Sequence, residues 1–115
     1  MNTILHITPR QDWEKAQSTG IYRADSLETE GFIHCSTPAQ VVKTANLWFK
    51  NQSDLLILLI NSEKVESEIR YDIVRKNEAF PHIYGALNTD AVFKVIEFNR
   101  RENGLFELPA EIQLE

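Results

Sequence analysis

Leu55-Leu56-Ile57-Leu58-Leu59-Ile60 is an unbroken aliphatic run, preceded by Asp54 and followed by Asn61. A strand with one face in water alternates apolar and polar residues, so a run without alternation reads as a central strand buried on both faces. It is far too short for the roughly 20 residues that cross a bilayer. Other stretches read as strands too. Thr3 to Thr8 reads as one, with Leu5 and Ile7 on one face and Ile4, His6 and Thr8 on the other. Ile69 to Val74 reads as another, with Arg70, Asp72 and Val74 opposite Ile69, Tyr71 and Ile73. Ala91 to Phe98 is β-rich, and after the Asn103-Gly104 turn Leu105 to Leu108 reads as a closing edge strand.

Helices fill the gaps. Thr8-Pro9-Arg10-Gln11 has a hydroxyl suited to the N-cap, proline for the first helical position and a glutamine that can reach back. A helix through Trp13 and Ala16 follows, with Gly20 as its stop. The signal recurs at Thr37-Pro38-Ala39-Gln40, opening a helix to about Lys50 whose apolar stripe is Val41, Ala45 and Trp48. Both tryptophans read as core or helix-packing residues. Ser26 to Gly31 reads as one helical turn leading into a strand from Phe32 to Ser36, Lys76 to Ala79 as a loop, and Phe80 to Gly85 as a strand end or turn because of Pro81 and Gly85.

With 115 residues, 43% hydrophobic and 25% charged, the chain reads as one soluble domain, residues 1–115. Such a chain buries roughly two-thirds of its unfolded surface, enough for a core without staples. One cysteine excludes an internal disulfide and a cysteine zinc cage. The net charge of −5 makes general nucleic-acid binding unfavourable, although Arg70, Arg75 and Lys76 lie close together. A start without a basic, long apolar leader and the absence of a membrane-length run point to a cytoplasmic protein with no membrane partner.

All three histidines precede a hydroxyl by two residues: His6-Ile7-Thr8, His34-Cys35-Ser36 and His82-Ile83-Tyr84. In a strand, residues two apart share a face, so each triplet sets an imidazole beside a hydroxyl. The hypothesis is a shared polar pocket lined by strands. His34 and Ser36, at a strand end before a helix start, can orient a phosphorylated or ribosyl ligand; the alternative is a structural histidine beside a capping hydroxyl. In Phe80 to Gly85, His82 offers acid–base chemistry because imidazole titrates near neutrality, Tyr84 a stacking ring and Gly85 close approach. The alternative there is a well-packed turn. His6 taken alone is commonly a core-edge hydrogen bonder, and Cys35, facing away from His34 and Ser36, is a buried structural thiol. Arg70 and Asp72 make a surface ion pair, or Arg70 faces a phosphate. No histidine pair has close metal-ligand spacing and no Gly-x-Ser-x-Gly elbow occurs, so neither a metal nor a serine triad is expected.

Ile4-Leu5-His6-Ile7, Trp13-x-x-Ala16, Gly20-x-Tyr22, Ser26-Leu27-x-x-Glu30-Gly31-Phe32-Ile33-His34-Cys35-Ser36 and Phe80-Pro81-His82-Ile83-Tyr84-Gly85 together resemble a family of small bacterial proteins of unknown function. That family is grouped with the ADP-ribosyltransferase-like superfamily, and the resemblance runs from Ile4 to about Pro109. It implies an α+β fold with a split, mostly antiparallel sheet and two main helices around an NAD-binding cleft. By similarity, His6 falls where such enzymes contact the adenine-side ribose, His34 and Ser36 near the second motif strand, as in the RNA 2′-phosphotransferase branch, and Phe80 to Gly85 near the third. The chain departs from the pattern where Ile7 replaces a glycine and where the third motif lacks its glutamate, leaving His82 to substitute or transfer to be lost.

The resulting expectation is a cleft with His34 and His82 as catalytic candidates that polarise and position, and His6, Ser36, Tyr84, Gly85 and Arg70 as ligand contacts. The ligand is NAD, as substrate, or a related phosphorylated nucleotide, with transfer or removal of an ADP-ribosyl or phosphate group. The alternatives are a non-catalytic ligand sensor on the same fold and a structural protein whose histidines are satisfied core polars. The sequence assigns no oligomeric state.

Overall fold

The aliphatic run occupies the middle of a three-stranded antiparallel sheet in a computed structural model that describes residues 2–112; Met1 and residues 113–115 of the expected single domain lie outside the described residues. Its strand, β4 (Leu55–Asn61), lies between β1 (Thr3–Pro9) and β8 (Val92–Phe98). All six aliphatic residues are at most 5% exposed. Leu56, Leu58 and Ile60 pack with Ile4, Trp13 and Ala16 on one face, and Leu55, Ile57 and Leu59 with Leu5, Ile7, Val41 and Phe106 on the other. At about 1.5–3 kcal/mol for each fully buried aliphatic side chain, this one strand is a main source of stability.

A second three-stranded sheet contains β3 (Ile33–His34), β6 (Glu78–Tyr84) and β5 (Glu68–Arg75), in the order β3-β6-β5. A two-stranded ribbon pairs β2 (Ile21–Tyr22) with β7 (Leu87–Asn88). Every pairing is antiparallel. The two larger sheets meet at one point, where Leu5 and Ser36 exchange reciprocal backbone hydrogen bonds of 2.8 Å. The helices are α1 (Arg10–Thr19), α2 (Asp25–Thr29) and α3 (Val41–Trp48). The protein is therefore α+β with mostly antiparallel sheets. No helix of the described residues is long and apolar enough to cross a membrane.

Several local expectations are corrected. Thr8 does not cap α1, because β1 stays paired with β4 through Pro9 and Leu55. Pro9 takes the N-cap position, and Arg10 N–H bonds to Asp54 O at 3.0 Å. Gly20 does stop α1, with φ +81° and its N–H on Ala16 O. Thr37 to Gln40 is a turn rather than the first turn of a helix: Gln40 reaches back to accept from Thr37 N–H at 3.0 Å, but also donates to Ala79 O at 2.8 Å, and α3 starts one residue later.

Val41 and Ala45 are buried as expected, whereas Trp48 is 70% exposed. It lies on their stripe but about 10 Å along the helix axis from Val41, where no described residue buries it. Leu105 to Leu108 forms no strand; Phe106 instead anchors that segment by stacking on Phe98 at 4.7 Å.

The larger correction concerns Phe80 to Gly85. Most of it belongs to β6, the central strand of the second sheet, despite Pro81. Pro81 O accepts from Cys35 N–H at 3.0 Å, while the reciprocal bond is impossible because proline has no N–H. The β3–β6 ladder therefore ends at the His34–His82 pair, and the chain beyond turns to Leu5. The expected Lys76–Ala79 loop shrinks to two residues, Lys76 and Asn77, both with positive φ as a tight hairpin requires.

Candidate functional site

Ending β3 at His34 opens a cavity of about 610 Å³ at the seam between the two large sheets. Its lining includes all three histidines, from β1, β3 and β6. Leu5, Ile7, Phe49, Val74 and Phe80 give it apolar walls, and Trp48 from the end of α3 also contributes. An apolar concavity of this size with a few polar groups is the ordinary form of a small-molecule site.

His6 is buried, with Nδ1 at 2.6 Å from His34 O and Nε2 at 2.7 Å from the Tyr22 hydroxyl. A carbonyl oxygen only accepts, so Nδ1 carries the proton and Nε2 accepts from Tyr22. Burial lowers its pKa to about 4, which keeps the ring neutral. Thr8 Oγ1 lies 3.0 Å from the Tyr22 oxygen. This chain fixes the main chain at His34 from below.

His82 is 3% exposed, and its Nδ1 lies 2.8 Å from Asp72 Oδ2. Tyr84 donates its hydroxyl to the same carboxylate oxygen. Those two donors, Tyr84 foremost, hold the Asp72 carboxyl below its ordinary range, and Asp72 in turn raises the Tyr84 phenol. Phe32 stacks on the His82 ring at 4.1 Å and 16°. In the neutral ring Nδ1–H donates to Asp72 and Nε2 is the acceptor. That atom is buried and has no hydrogen-bond partner.

The His34 ring stands edge-on to His82, with centroids 5.1 Å apart, and is half exposed. Its Nε2 meets Glu30 Oε2 at 3.0 Å, and Glu30 also lines the cavity. Two imidazole–carboxylate pairs thus sit side by side.

Of the residues singled out in the sequence, His6, His34, Ser36 and His82 line the cavity. Tyr84 does not; it orders Asp72 behind His82. Arg70 lies 4.5 Å over the Tyr84 ring and bonds Glu68 twice, at 2.9 and 3.0 Å, rather than pairing with Asp72. The arginine at the cavity is Arg75, with its guanidinium 5.7 Å from the Phe80 ring. Cys35 belongs to the core cluster although it borders the cavity, and burial pushes its thiol pKa up, as suits a structural cysteine.

Gly85 approaches Ser67, not the cavity: a Cβ built there meets Ser67 Oγ and lies 2.9 Å from Ser67 Cβ. Gly85→Ala is therefore expected to displace Ser67 from its 2.7 Å bond to Ala86 O and to cost about 1–3 kcal/mol in thermal or urea unfolding. Ligand binding should be unaffected.

Tyr22, Glu30, Thr44, Asp72 and Arg75 complete the site without having been assigned to it from the sequence. Asp72 was legible in principle: the hairpin aligns it with Phe80, diagonally adjacent to His82. Among the described residues, no group of three or more histidine, cysteine or carboxylate side chains is arranged to hold a metal ion.

The fold and site together define an α+β protein with a histidine-lined cavity at a sheet seam. Residues 7–95 match the family described as protein of unknown function, DUF952, and the chain belongs to that family. The X-ray structure of protein CC0527 from Caulobacter crescentus is similar, with a TM-score of 0.84 and 27% identity over 92% of this chain and 94% of that one. The solution NMR structure of CC0527 gives 0.83 and 28% over 100% of both chains. No curated protein matches.

Proposed function

We propose that the cavity binds NAD or a related phosphorylated nucleotide and that His82 is its proton-handling group. One observation carries the reading. The buried side-chain polar atoms left without a partner among the described residues are Thr44 Oγ1, Arg75 Nε and His82 Nε2, and all three residues line this cavity. Buried polar groups are nearly always paired, because an unmade hydrogen bond costs about 1–3 kcal/mol. A ligand with acceptors for Arg75 and Thr44 and a donor for His82 answers that deficit.

The chemistry in keeping with this arrangement is transfer or removal of an ADP-ribosyl or phosphate group, as the ADP-ribosyltransferase-like resemblance implies. With Nδ1–H held by Asp72, His82 Nε2 takes the proton of an attacking hydroxyl or water as its oxygen bonds to ribose C1′ or to phosphorus. The bond to nicotinamide, which leaves neutral, or to the ester oxygen, which takes the proton back from His82, breaks with its electron pair. Arg75 faces the anionic group. The carboxylate missing from Phe80 to Gly85 has a counterpart in Glu30, which reaches the cavity from the end of α2 and positions His34. A non-catalytic sensor is the second reading, favoured by the absence of a carboxylate at the third motif; it predicts saturable binding without product.

Thermal shift and calorimetry with NAD, ADP-ribose and mononucleotides test binding, since a ligand at 100 times its Kd stabilises the fold by about 2.7 kcal/mol. No stabilisation at millimolar ligand rejects the reading. His82→Gln is expected to keep binding within a few fold while lowering turnover by about 100-fold or more. A wild-type rate removes His82 from the chemistry.

A further inference from the structure

The cavity has a property that narrows its ligand further: its polarity is uneven. Among its lining residues, Arg75 is the single arginine or lysine and Glu30 the single carboxylate. Glu30 is engaged by His34, whereas the Arg75 Nε is unpartnered and no ion pair engages that side chain among the described residues. The site thus offers one free positive charge, not the two or more that a pyrophosphate attracts.

The second feature is Trp48. Trp48 is 70% exposed although it lines the cavity, whose apolar lining also includes Phe49 and Val74. An exposed tryptophan at the mouth of a mostly apolar cavity is a flat surface on which a planar ring can stack. Trp13, the only other tryptophan, is 6% exposed in the core and takes no part.

We infer that the ligand is a planar heteroaromatic ring carrying one anionic group, the ring stacked on Trp48 and the anion held by Arg75. This inference rests on the nucleotide reading above and selects a nucleoside monophosphate within it. A second phosphate gains no second cation among the lining residues, and removing the only phosphate strands Arg75.

The experiment titrates the 115-residue chain with adenosine monophosphate, adenosine and NAD, following tryptophan emission and calorimetric affinity in parallel. The expected result is quenching by the monophosphate that is absent in Trp48→Leu and restored in part by the ring-bearing Trp48→Phe when affinity is read. Trp48→Leu should weaken the monophosphate roughly tenfold, the scale of one base–aromatic stack. Arg75→Gln should weaken the monophosphate about tenfold and adenosine hardly at all. NAD should bind no more tightly than the monophosphate.

Because the Trp48 side chain is mostly solvent-facing, its variants should melt with the wild type, and a melt confirms this before titration. Calorimetric binding of any of the three with unchanged emission and equal affinity in Trp48→Leu overturns the stacking and leaves the nucleotide reading standing. Equal affinity for adenosine and its monophosphate, insensitive to Arg75→Gln, overturns the anion assignment. Absence of heat with all three overturns both.

Discussion

Acidification from pH 6.5 to 4 is expected to remove about 3 kcal/mol of folding stability through His6 alone. The unfolded chain takes up a proton at this histidine as pH falls through 6.5, whereas the folded chain, in which burial lowers the pKa to about 4, does not. The unfolded state therefore binds more protons throughout this window, so stability rises with pH across it and is lost as pH falls. At about 1.36 kcal/mol per pH unit the loss is about 3 kcal/mol, levelling off below pH 4. Other groups titrate in the same range, so the measurement compares slopes. Urea unfolding of the wild type and of His6→Gln, repeated at steps between pH 7 and 4, should show a shallower dependence in the variant. Parallel slopes would mean that His6 is protonated in the folded protein and that the Tyr22–His6–His34 chain is not as described.

Leu58→Ala is expected to cost about 2–5 kcal/mol, through lost burial and the cavity left behind. Leu58 is fully buried in the interior strand, aligned with His6 on β1 and Val95 on β8. Val95 is 38% exposed on the edge strand, and Val95→Ala should cost less than about 1 kcal/mol. Equal losses in urea unfolding would contradict the interior position of β4. A useful by-product is that Leu58→Ala removes bulk on the face shared with His6, so any change in His6 titration would report how closely that ring is packed.

The interior strand was legible because six adjacent aliphatic side chains leave no solvated face in a pleated strand. The same logic correctly divided β1 into its two faces, since Leu5 and Ile7 join one core cluster and Ile4 the other. What local pattern could not supply was competition for the backbone. Thr8 has the chemistry of a helix cap, but β4 had already claimed its main chain, and its hydroxyl was free for Tyr22. Pro81 argued against a central strand only because the place of its missing N–H, opposite the point where β3 gives out, is a tertiary fact. Trp48 fits an apolar stripe at helical spacing, and spacing does not reveal where the covering surface ends.

The site was legible to the same degree. Three histidines with hydroxyl neighbours pointed to a common pocket, and all three rings do line one cavity. Only Ser36 of the three hydroxyls lines it with them; Thr8 and Tyr84 instead hold partners behind the rings. Arg70 and Arg75 are equally basic in sequence. The hairpin and the register shift between Ile73 and Arg75 decide which of them reaches the cavity. Asp72, which the sequence offers as a partner for Arg70, goes to His82 because the two-residue turn brings β6 back beside it.

The crossing of the chain from one sheet to the other within Cys35 and Ser36 has a consequence for how this scaffold can vary. The positions of the three imidazoles are set by bonds to the main chain: Cys35 N–H to Pro81 O, the Leu5–Ser36 exchange and the His34 carbonyl, which accepts from His6 Nδ1–H. The surrounding wall residues, Ile7, Phe49, Val74 and Phe80 among them, contribute side chains and none of those bonds. Wall composition can therefore drift, reshaping what the hollow accepts, while the trio of rings keeps its spacing. Relatives with the same histidine geometry need not accept the same small molecule.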